Sequence, residues 1–374
     1  MCISPLSRES LENLKNFKYK STDDSLLYQK CMSPCLNKVV NYIPSFIAPN
    51  LITFMSLCFN IFASVISYLD GGFDFSSKLN RSTCIVIGSF QFLYQLLDNL
   101  DGKQARRTGN STPFGMLMDH GCDVFTNIFT AYNLSKLLLV GNDDFLSFSV
   151  FFGLILGFYM MTLEEYKLGE MHFPKINGTD EGNFLIFLLG FFLGIFGQDC
   201  MEYIINEKYD ITVGKLIGFG VIVAGFSCVF NLYLHTYQQK GCREASKIIL
   251  DCLPFYGVVI IPLFYISWYL EFYKDNKWII LSNICLLFAR ITIDIQVRIL
   301  TQDALSCNAM FIFTNIALII ALFIDTYNII LFALIIIFIA QAVELAIFIF
   351  RRAKQISEFL EIRIFCVNNQ AIQI

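Results

Sequence analysis

Long apolar runs recur along the chain and are separated by short polar loops. A helix needs about 20 mostly apolar residues to cross the hydrocarbon core of a bilayer, and the runs approach or reach that length. They lack the alternation of polar and apolar positions that is typical of membrane-spanning strands. The pattern therefore predicts an all-α polytopic membrane protein with about ten transmembrane helices. The runs lie at about 51–70, 83–98, 118–141, 147–163, 184–198, 213–237, 249–270, 278–299, 307–325 and 328–350.

The segment before the first run has a different pattern. Residues 25–50 read SLLYQKCMSPCLNKVVNYIPSFIAPN. Their apolar side chains could form the face of an N-terminal interfacial amphipathic segment, or the stretch could be a linker packed on the bundle. Pro34 divides the stretch, which favours two short helices over one. The residues that would form the face are Leu26, Leu27, Leu36, Val39, Val40, Ile43 and Phe46.

The composition and the charges support a membrane location. Hydrophobic residues make up 56% of the 374 residues and charged residues 16%, against about 25% in soluble domains. The net charge of -4 argues against a nucleic-acid partner. The 13 cysteines show no metal-site spacing, and most are expected to be small buried hydrophobes. Lys and Arg are more frequent in alternate loops, which places the N-terminus and the loop after the second run in the cytosol.

Four aspartates stand at the facing ends of the second and third runs. Asp98 and Asp101 are three residues apart, and Asp119 and Asp123 are four apart, so each pair shares one helical face. Charged groups at membrane depth are costly and usually mark a function. Neighbouring carboxylates repel one another unless a cation lies among them. Carboxylate oxygens suit Mg²⁺, Mn²⁺ or Ca²⁺, so the pattern predicts a divalent-cation site.

Glycine and basic residues extend this pattern. Gly115 lies one turn before the third aspartate, where a side chain would obstruct a ligand, and Gly102 allows the backbone to approach closely. Arg106 can grip phosphate oxygens with its planar guanidinium, and Lys103 would add a second positive charge. Acids, a cation and basic groups together are typical of a site for a metal-bound pyrophosphate.

The fixed positions of residues 98–123 resemble the CDP-alcohol phosphatidyltransferase signature throughout. Four segments resemble the sequences of the eukaryotic choline/ethanolamine phosphotransferases. They are GKQARR and DHGCD inside the motif, IAPNLIT at 47–53 and INGTDEG at 176–182. The resemblance covers about residues 20–350 and is weakest after residue 240. It implies transfer of phosphocholine or phosphoethanolamine from a CDP-alcohol to diacylglycerol, with release of CMP.

The resemblance also implies a metal cofactor. Asp98, Asp101 and Asp119 would bind one Mg²⁺ or Mn²⁺ ion, and Asp119 with Asp123 would help to bind a second. Bound metal would draw charge from the pyrophosphate, so that CMP leaves as a stabilised group.

A general base and a substrate-binding set are implied in the same way. His120 matches a residue proposed as the base toward the diacylglycerol hydroxyl. Related enzymes outside the subfamily give that role to the last aspartate, here Asp123. A neutral imidazole accepts a proton without losing a metal bond, which favours His120. The residues expected to contact the CDP-alcohol are Asn50, Gly102, Lys103, Arg106 and Gly115, of which Arg106 would bind the pyrophosphate.

One position departs from the subfamily. Its members usually carry Glu one residue after the second Gly of the motif, and here that residue is Met116. Met116 lies one helical turn before His120, where a Glu could orient the imidazole and stabilise its charge. Met does neither, which predicts a slow enzyme with near-normal affinity for the CDP-alcohol. The alternative is a catalytically weakened member that serves as a structural subunit of a membrane complex.

The resemblance divides the chain into four segments. They are a cytosolic or interfacial segment at 1–46, the catalytic core at 47–237, C-terminal transmembrane helices at 238–350 and a cytosolic tail at 351–374. The expected location is the endoplasmic reticulum or Golgi, with the site facing the cytosol, and a mitochondrial membrane is the alternative. Family members commonly form dimers, so a homodimer is expected. The choice between choline and ethanolamine stays open.

Overall fold

A computed structural model describes residues 5–305, 316, 320 and 326–367 of the chain. These residues are mostly helical, and their strands are short. The helices are α1 (Arg8–Asn16), α2 (Ser33–Val39), α3 (Pro49–Gly71), α4 (Arg81–Arg107), α5 (Pro113–Leu138), α6 (Asp144–Leu168), α7 (Asn183–Phe196), α8 (Val213–Lys240), α9 (Cys242–Asp251), α10 (Leu253–Trp268), α11 (Leu270–Thr301) and α12 (Tyr327–Phe359). The strands are β1 (Ser21–Asp23), β2 (Met171–Phe173), β3 (Ile204–Asn206) and β4 (Ile211–Thr212).

Several of these helices can cross a membrane. Among the described residues, six helical stretches are long and apolar enough, and a bent pair made by α9 and α10 would give a seventh. The six contain α3, α6, α7, α8, α11 and α12. Apolar side chains stay exposed along them, which is expected of surfaces that face lipid rather than water. The described residues therefore have the architecture of a mostly helical integral membrane protein.

The prediction of about ten spans is not confirmed. The runs at 83–98 and 118–141 lie in α4 and α5, which have the length of a span but include the charged residues of the motif. Apolarity therefore does not identify them as spans. The run at 307–325 lies outside the described residues, apart from Ile316 and Ile320.

The segment before α3 also differs from the prediction. A π-helical turn at Tyr28–Met32 runs directly into α2, and a 3₁₀ turn at Val40–Tyr42 follows, so the helical path is continuous. Pro34 lies where π hydrogen bonding changes to α hydrogen bonding, and its missing N–H does not end the helix there. The seven predicted apolar residues do not share one face, since Leu36 is buried while Val39 is exposed.

Close helix packing places α6 beside the other helices of the bundle. A Cβ atom built on Gly225 of α8 would lie 2.3 Å from the carbonyl oxygen of Gly153 in α6, so a side chain there would force the helices apart. Small residues permit this kind of backbone contact in membrane bundles. The other sides of α6 contact α5 and α11. The end of α6 therefore reaches the region where the motif helices meet.

Hydrogen bonds join the beginning of the chain to its last third. We call residues 5–23 the N-terminal arm. Nδ2 of Asn13 donates a hydrogen bond to the carbonyl of Thr301 (2.8 Å), and the side chain of Gln355 exchanges hydrogen bonds with the backbone of Leu6. After α1, strand β1 pairs in parallel with β2. The arm therefore lies across the end of the bundle where α6 and α11 terminate.

Candidate functional site

The turn between α4 and α5 brings the two halves of the motif together. After α4 ends at Arg107, Gly109 adopts a positive φ of 66°, which glycine tolerates without strain. Thr112 then caps α5, because its Oγ1 accepts a hydrogen bond from the backbone N–H of Gly115 (3.0 Å). Pro113 occupies the first turn, where its missing N–H has no partner to lose. The chain thus folds back, and α5 packs on α3, the helix that also packs on α4.

This packing gathers the aspartates. One carboxylate oxygen from each of Asp98, Asp119 and Asp123 lies within 4.8 Å of the others, a grouping that could hold a metal ion. The hydroxyl of Tyr94 donates to Oδ1 of Asp123 (3.0 Å), and the hydroxyl of Thr53 donates to Oδ2 of Asp101. Asp98, Asp119 and Asp123 therefore form a compact cluster. Asp101 lies beside them and is bonded to Thr53 of α3.

The cluster has the chemistry that a divalent cation requires. Oδ1 of Asp98 and Oδ1 of Asp119 are buried atoms with no hydrogen-bond partner among the described residues. An unpaired buried carboxylate oxygen costs free energy, and several of them in one place repel each other. A hard cation bound by oxygen ligands would remove both costs. The donor set therefore fits Mg²⁺ or Mn²⁺.

A cleft of about 300 Å³ opens beside the cluster. Asn50, Arg106, Gly102 and Gly115 line it together with the aspartates. A Cβ atom on Gly115 would lie 3.3 Å from Oγ1 of Thr112 and 3.5 Å from Oδ1 of Asn50, so a side chain would crowd this wall. The structure thus brings these four predicted substrate-binding residues to one cavity.

Lys103 is the predicted substrate-binding residue that the structure places elsewhere. Its Nζ donates hydrogen bonds to Oγ of Ser33 (3.0 Å) and Oδ1 of Asn37 (2.8 Å), and it lies 5.3 Å from the ring centre of Tyr28. The side chain is buried under the segment before α3 and does not line the cleft. The sequence could not indicate this position, because the direction of the side chain is set by a contact between segments distant in sequence.

His120 lies in the cleft with a carboxylate behind it. Its Nδ1 is 3.6 Å from Oε2 of Glu165 on α6, and both side chains are buried. Nε2 of Gln296, from α11, donates to the carbonyl of His120 (3.0 Å). The ring of Tyr19, from the N-terminal arm, meets the imidazole edge-on at 5.6 Å. Three distant parts of the chain therefore fix the position of this histidine.

Sequence reasoning missed the role of Glu165. The signal was present, because two adjacent acids, Glu164 and Glu165, follow a long apolar stretch near the end of α6. Their partners differ: Glu164 lies 2.7 Å from Nδ1 of His235, whereas Glu165 faces His120. The argument that Met116 leaves His120 without a carboxylate is therefore wrong, since α6 supplies one.

The remaining wall of the cleft comes from the first strands. Tyr19 and Asp23 line it from the arm, and Met171 and Phe173 line it from β2. Partial burial raises the pKa of the Asp23 carboxyl. These residues were not predicted, because a two-stranded parallel pairing between residues 21–23 and 171–173 leaves no local signature in the sequence.

Comparison with known proteins agrees with this site. The family model described as CDP-alcohol phosphatidyltransferase matches residues 46–196. The chain is 31% identical over 302 residues to uncharacterized CDP-alcohol phosphatidyltransferase class-I family protein 3 of Dictyostelium discoideum, which covers 75% of this chain and 73% of that protein. It is 31% identical over 252 residues to family protein 2 of the same organism, covering 67% of this chain.

A relative with a named activity is also found. Choline/ethanolaminephosphotransferase 1 of Arabidopsis thaliana is 35% identical over 258 residues, which cover 63% of this chain. The match spans 64% of the Arabidopsis protein and 59% of Dictyostelium family protein 2. The motif, the acidic cluster and the match to family protein 3 over most of both chains agree, and this chain belongs to the CDP-alcohol phosphatidyltransferase family.

Proposed function

We propose that this chain transfers phosphocholine or phosphoethanolamine from a CDP-alcohol to diacylglycerol and releases CMP. The observation that carries the proposal is the half-buried cluster of Asp98, Asp119 and Asp123, which shares one cleft with Arg106 and His120. The choice of alcohol rests on the resemblance of GKQARR, DHGCD and INGTDEG and on the name of the Arabidopsis relative.

The residues around the cluster have separable tasks. Asp98, Asp101, Asp119 and Asp123 would hold one or two divalent ions, which supply charge neutralisation at the pyrophosphate when bound. Arg106 binds phosphate oxygens through its guanidinium, and this interaction strengthens as negative charge develops on the departing CMP.

His120 accepts the proton of the attacking hydroxyl. The oxygen of diacylglycerol forms a bond to the phosphorus that carries the amino-alcohol, the bond from that phosphorus to the CMP oxygen breaks, and the proton passes to Nε2 of His120. Glu165 would accept a hydrogen bond from Nδ1–H once the two side chains approach, and this bond would hold the ring in the tautomer that leaves Nε2 free. The 3.6 Å separation is longer than a hydrogen bond, and such contacts often tighten when substrate binds.

The test is transfer by the purified protein. We expect radiolabelled CDP-choline or CDP-ethanolamine, with diacylglycerol and Mg²⁺ in lipid nanodiscs, to yield labelled phospholipid and an equal amount of CMP. Comparison of the two CDP-alcohols assigns the head group. Tight binding of both nucleotides without formation of phospholipid would refute the proposal and favour the structural-subunit alternative.

We further propose that the cleft faces the cytosol, in the endoplasmic reticulum or Golgi. A cysteine at the exposed Ser111 tests this orientation, in a background where the exposed native cysteines are replaced by serine. We expect Ser111→Cys to react with an impermeant maleimide from the cytosolic side in sealed membranes. Asn206→Cys, at the exposed β3 strand, is the matched control and should react only after the membrane is permeabilised. The reverse pattern would overturn the orientation.

The four-segment division is retained as a proposal with one adjustment. Helix α12 continues to Phe359, past the proposed boundary between 350 and 351. The tail therefore begins as a helical extension whose Gln355 contacts the N-terminal arm. A homodimer also remains part of the proposal.

A further inference from the structure

One face of the helical segment that precedes α3 packs against α3 and α4. Met32, Leu36 and Val40 are buried and form a small apolar cluster with Ile52 of α3 and Leu100 of α4. Their spacing of four residues is that of one helical stripe. This stripe is the inner face of the segment, and it contacts the protein rather than lipid.

Polar contacts fix the rotation of the segment about its axis. Nζ of Lys103 is held by Ser33 and Asn37, as described above, and the guanidinium of Arg107 donates to the carbonyl oxygens of Val40 and Ile43. Both cations belong to α4. Because the segment is bonded to α4 along much of its length, its remaining faces have defined directions.

A second stripe faces outward, and it is apolar. We call Cys31, Cys35, Val39, Tyr42 and Phe46 the outer stripe; all five side chains are exposed. Tyr42 and Phe46 expose 87% and 78% of their surfaces, far more than a side chain that helps to form a core. The first four positions follow the helical spacing of four, four and three residues.

The outer stripe leads directly into the first apolar helix. Only two residues separate Phe46 from the first residue of α3, whose exposed side chains include Leu51, Phe54 and Met55. An apolar stripe that continues into the lipid-facing surface of a span is expected to sit at the boundary of head groups and acyl chains. Exposed Lys30 and Lys38 lie beside the stripe, as is typical of helices in this plane.

The two thiols of the outer stripe have a chemical consequence. Cys31 and Cys35 are free, exposed and one helical turn apart. Among the described residues, the only group suited to a metal is the aspartate cluster, so these thiols have no metal-site partners. Cysteines on amphipathic helices beside a membrane are the substrates of reversible S-acylation.

We propose that Cys31 and Cys35 are S-acylated by long-chain fatty acids. The thiol sulfur attacks the carbonyl carbon of an acyl thioester such as acyl-coenzyme A, a new C–S bond forms, and the C–S bond to coenzyme A breaks. The proton passes to the departing coenzyme A thiol, so no oxidant or reductant is needed. The acyl chains enter the lipid beside Tyr42 and Phe46 and hold the segment that supports α4 against the membrane. The proposal is independent of the reaction in the cleft.

The test is an acyl-exchange assay on full-length protein from eukaryotic cell membranes. Disulfides are reduced and free thiols are blocked, thioesters are then cleaved with neutral hydroxylamine, and the released thiols are tagged with a polyethylene-glycol maleimide. We expect one or two mass increments that depend on hydroxylamine. The Cys31→Ser, Cys35→Ser double variant should lose them, whereas a Cys242→Ser, Cys366→Ser variant, at two exposed thiols outside the stripe, should keep them.

Two results would overturn the proposal. One is the absence of any hydroxylamine-dependent increment on the parent protein. The other is an increment that persists in the Cys31→Ser, Cys35→Ser variant, which would place the acyl group elsewhere. Each single variant should lose at most one increment, so the assignment does not depend on the folding of the double variant.

Discussion

Replacing Asp119 by Asn should lower the rate of phospholipid formation by roughly 10³-fold, the range seen when a group that stabilises developing charge is removed. Asp119 is expected to contact both ions, and its Oδ1 is a buried atom without a hydrogen-bond partner. The measurement is the initial rate with radiolabelled CDP-alcohol over a range of Mg²⁺ concentrations. Excess chelator should abolish the activity of the parent protein.

Although it lowers activity, Asp119→Asn should raise the thermal stability of the protein when chelator has removed the metal. One charge is then removed from a group of half-buried carboxylates that repel one another, so the thermal midpoint of Asp119→Asn should exceed that of the parent. Added Mg²⁺ should raise the midpoint of the parent more than that of the variant. Asp199→Asn, at an exposed aspartate paired with Lys78, is the matched control for activity. Full activity of Asp119→Asn, or of the parent in chelator, would contradict the metal site.

Replacing Glu165 by Gln should lower turnover by about 10–100-fold and leave the affinity for the CDP-alcohol nearly unchanged. Gln keeps the volume of the side chain but provides a weaker, uncharged acceptor for the Nδ1–H of His120. Glu164→Gln is a close control, because Glu164 is the neighbouring buried acid on the same helix and pairs with His235 instead. The measurement is turnover and nucleotide affinity for each variant.

A second substitution separates positioning from a general loss of structure. Met116 lines the cleft one turn before His120, so a Glu introduced there can reach the imidazole without movement of the backbone. Met116→Glu should restore part of the turnover of Glu165→Gln. In the parent, where Glu165 is present, it should change turnover little, which replaces the sequence-based expectation of a slow enzyme. Equal losses in Glu164→Gln and Glu165→Gln, without rescue, would show that the acid acts only in packing.

The local part of the site was predictable from the sequence. Asp98 with Asp101, and Asp119 with Asp123, share helical faces because their spacing matches one turn. The turn between the helices is short, so the two pairs had to meet. Gly115 followed from the same periodicity and Arg106 from the phosphate-binding chemistry of its guanidinium, and the structure places both in the cleft.

The parts that could not be predicted depend on contacts between distant segments. Lys103 lies close to Arg106 in the sequence, as a second phosphate-binding residue would. Its ammonium group instead donates hydrogen bonds to Ser33 and Asn37. Glu165 acts on His120 across two helices, and helical periodicity contains no information about which faces meet. Whether α4 and α5 cross the membrane stays a prediction, because the charged residues of the motif lower their apolarity.

The N-terminal arm is bonded to α12, so this contact can form only after most of the chain has been synthesised. Leu6 is bonded to Gln355, and the backbone of His120 is bonded to Gln296, so these contacts join residues made far apart in time. Helices α4 and α5 leave the ribosome long before α11 and α12. The acidic cluster can therefore form before the contact between Gln296 and the backbone of His120, which arrives only with the last third of the chain. A nascent chain that stops before α11 can bring the aspartates together while His120 is held by α6 and the N-terminal arm alone.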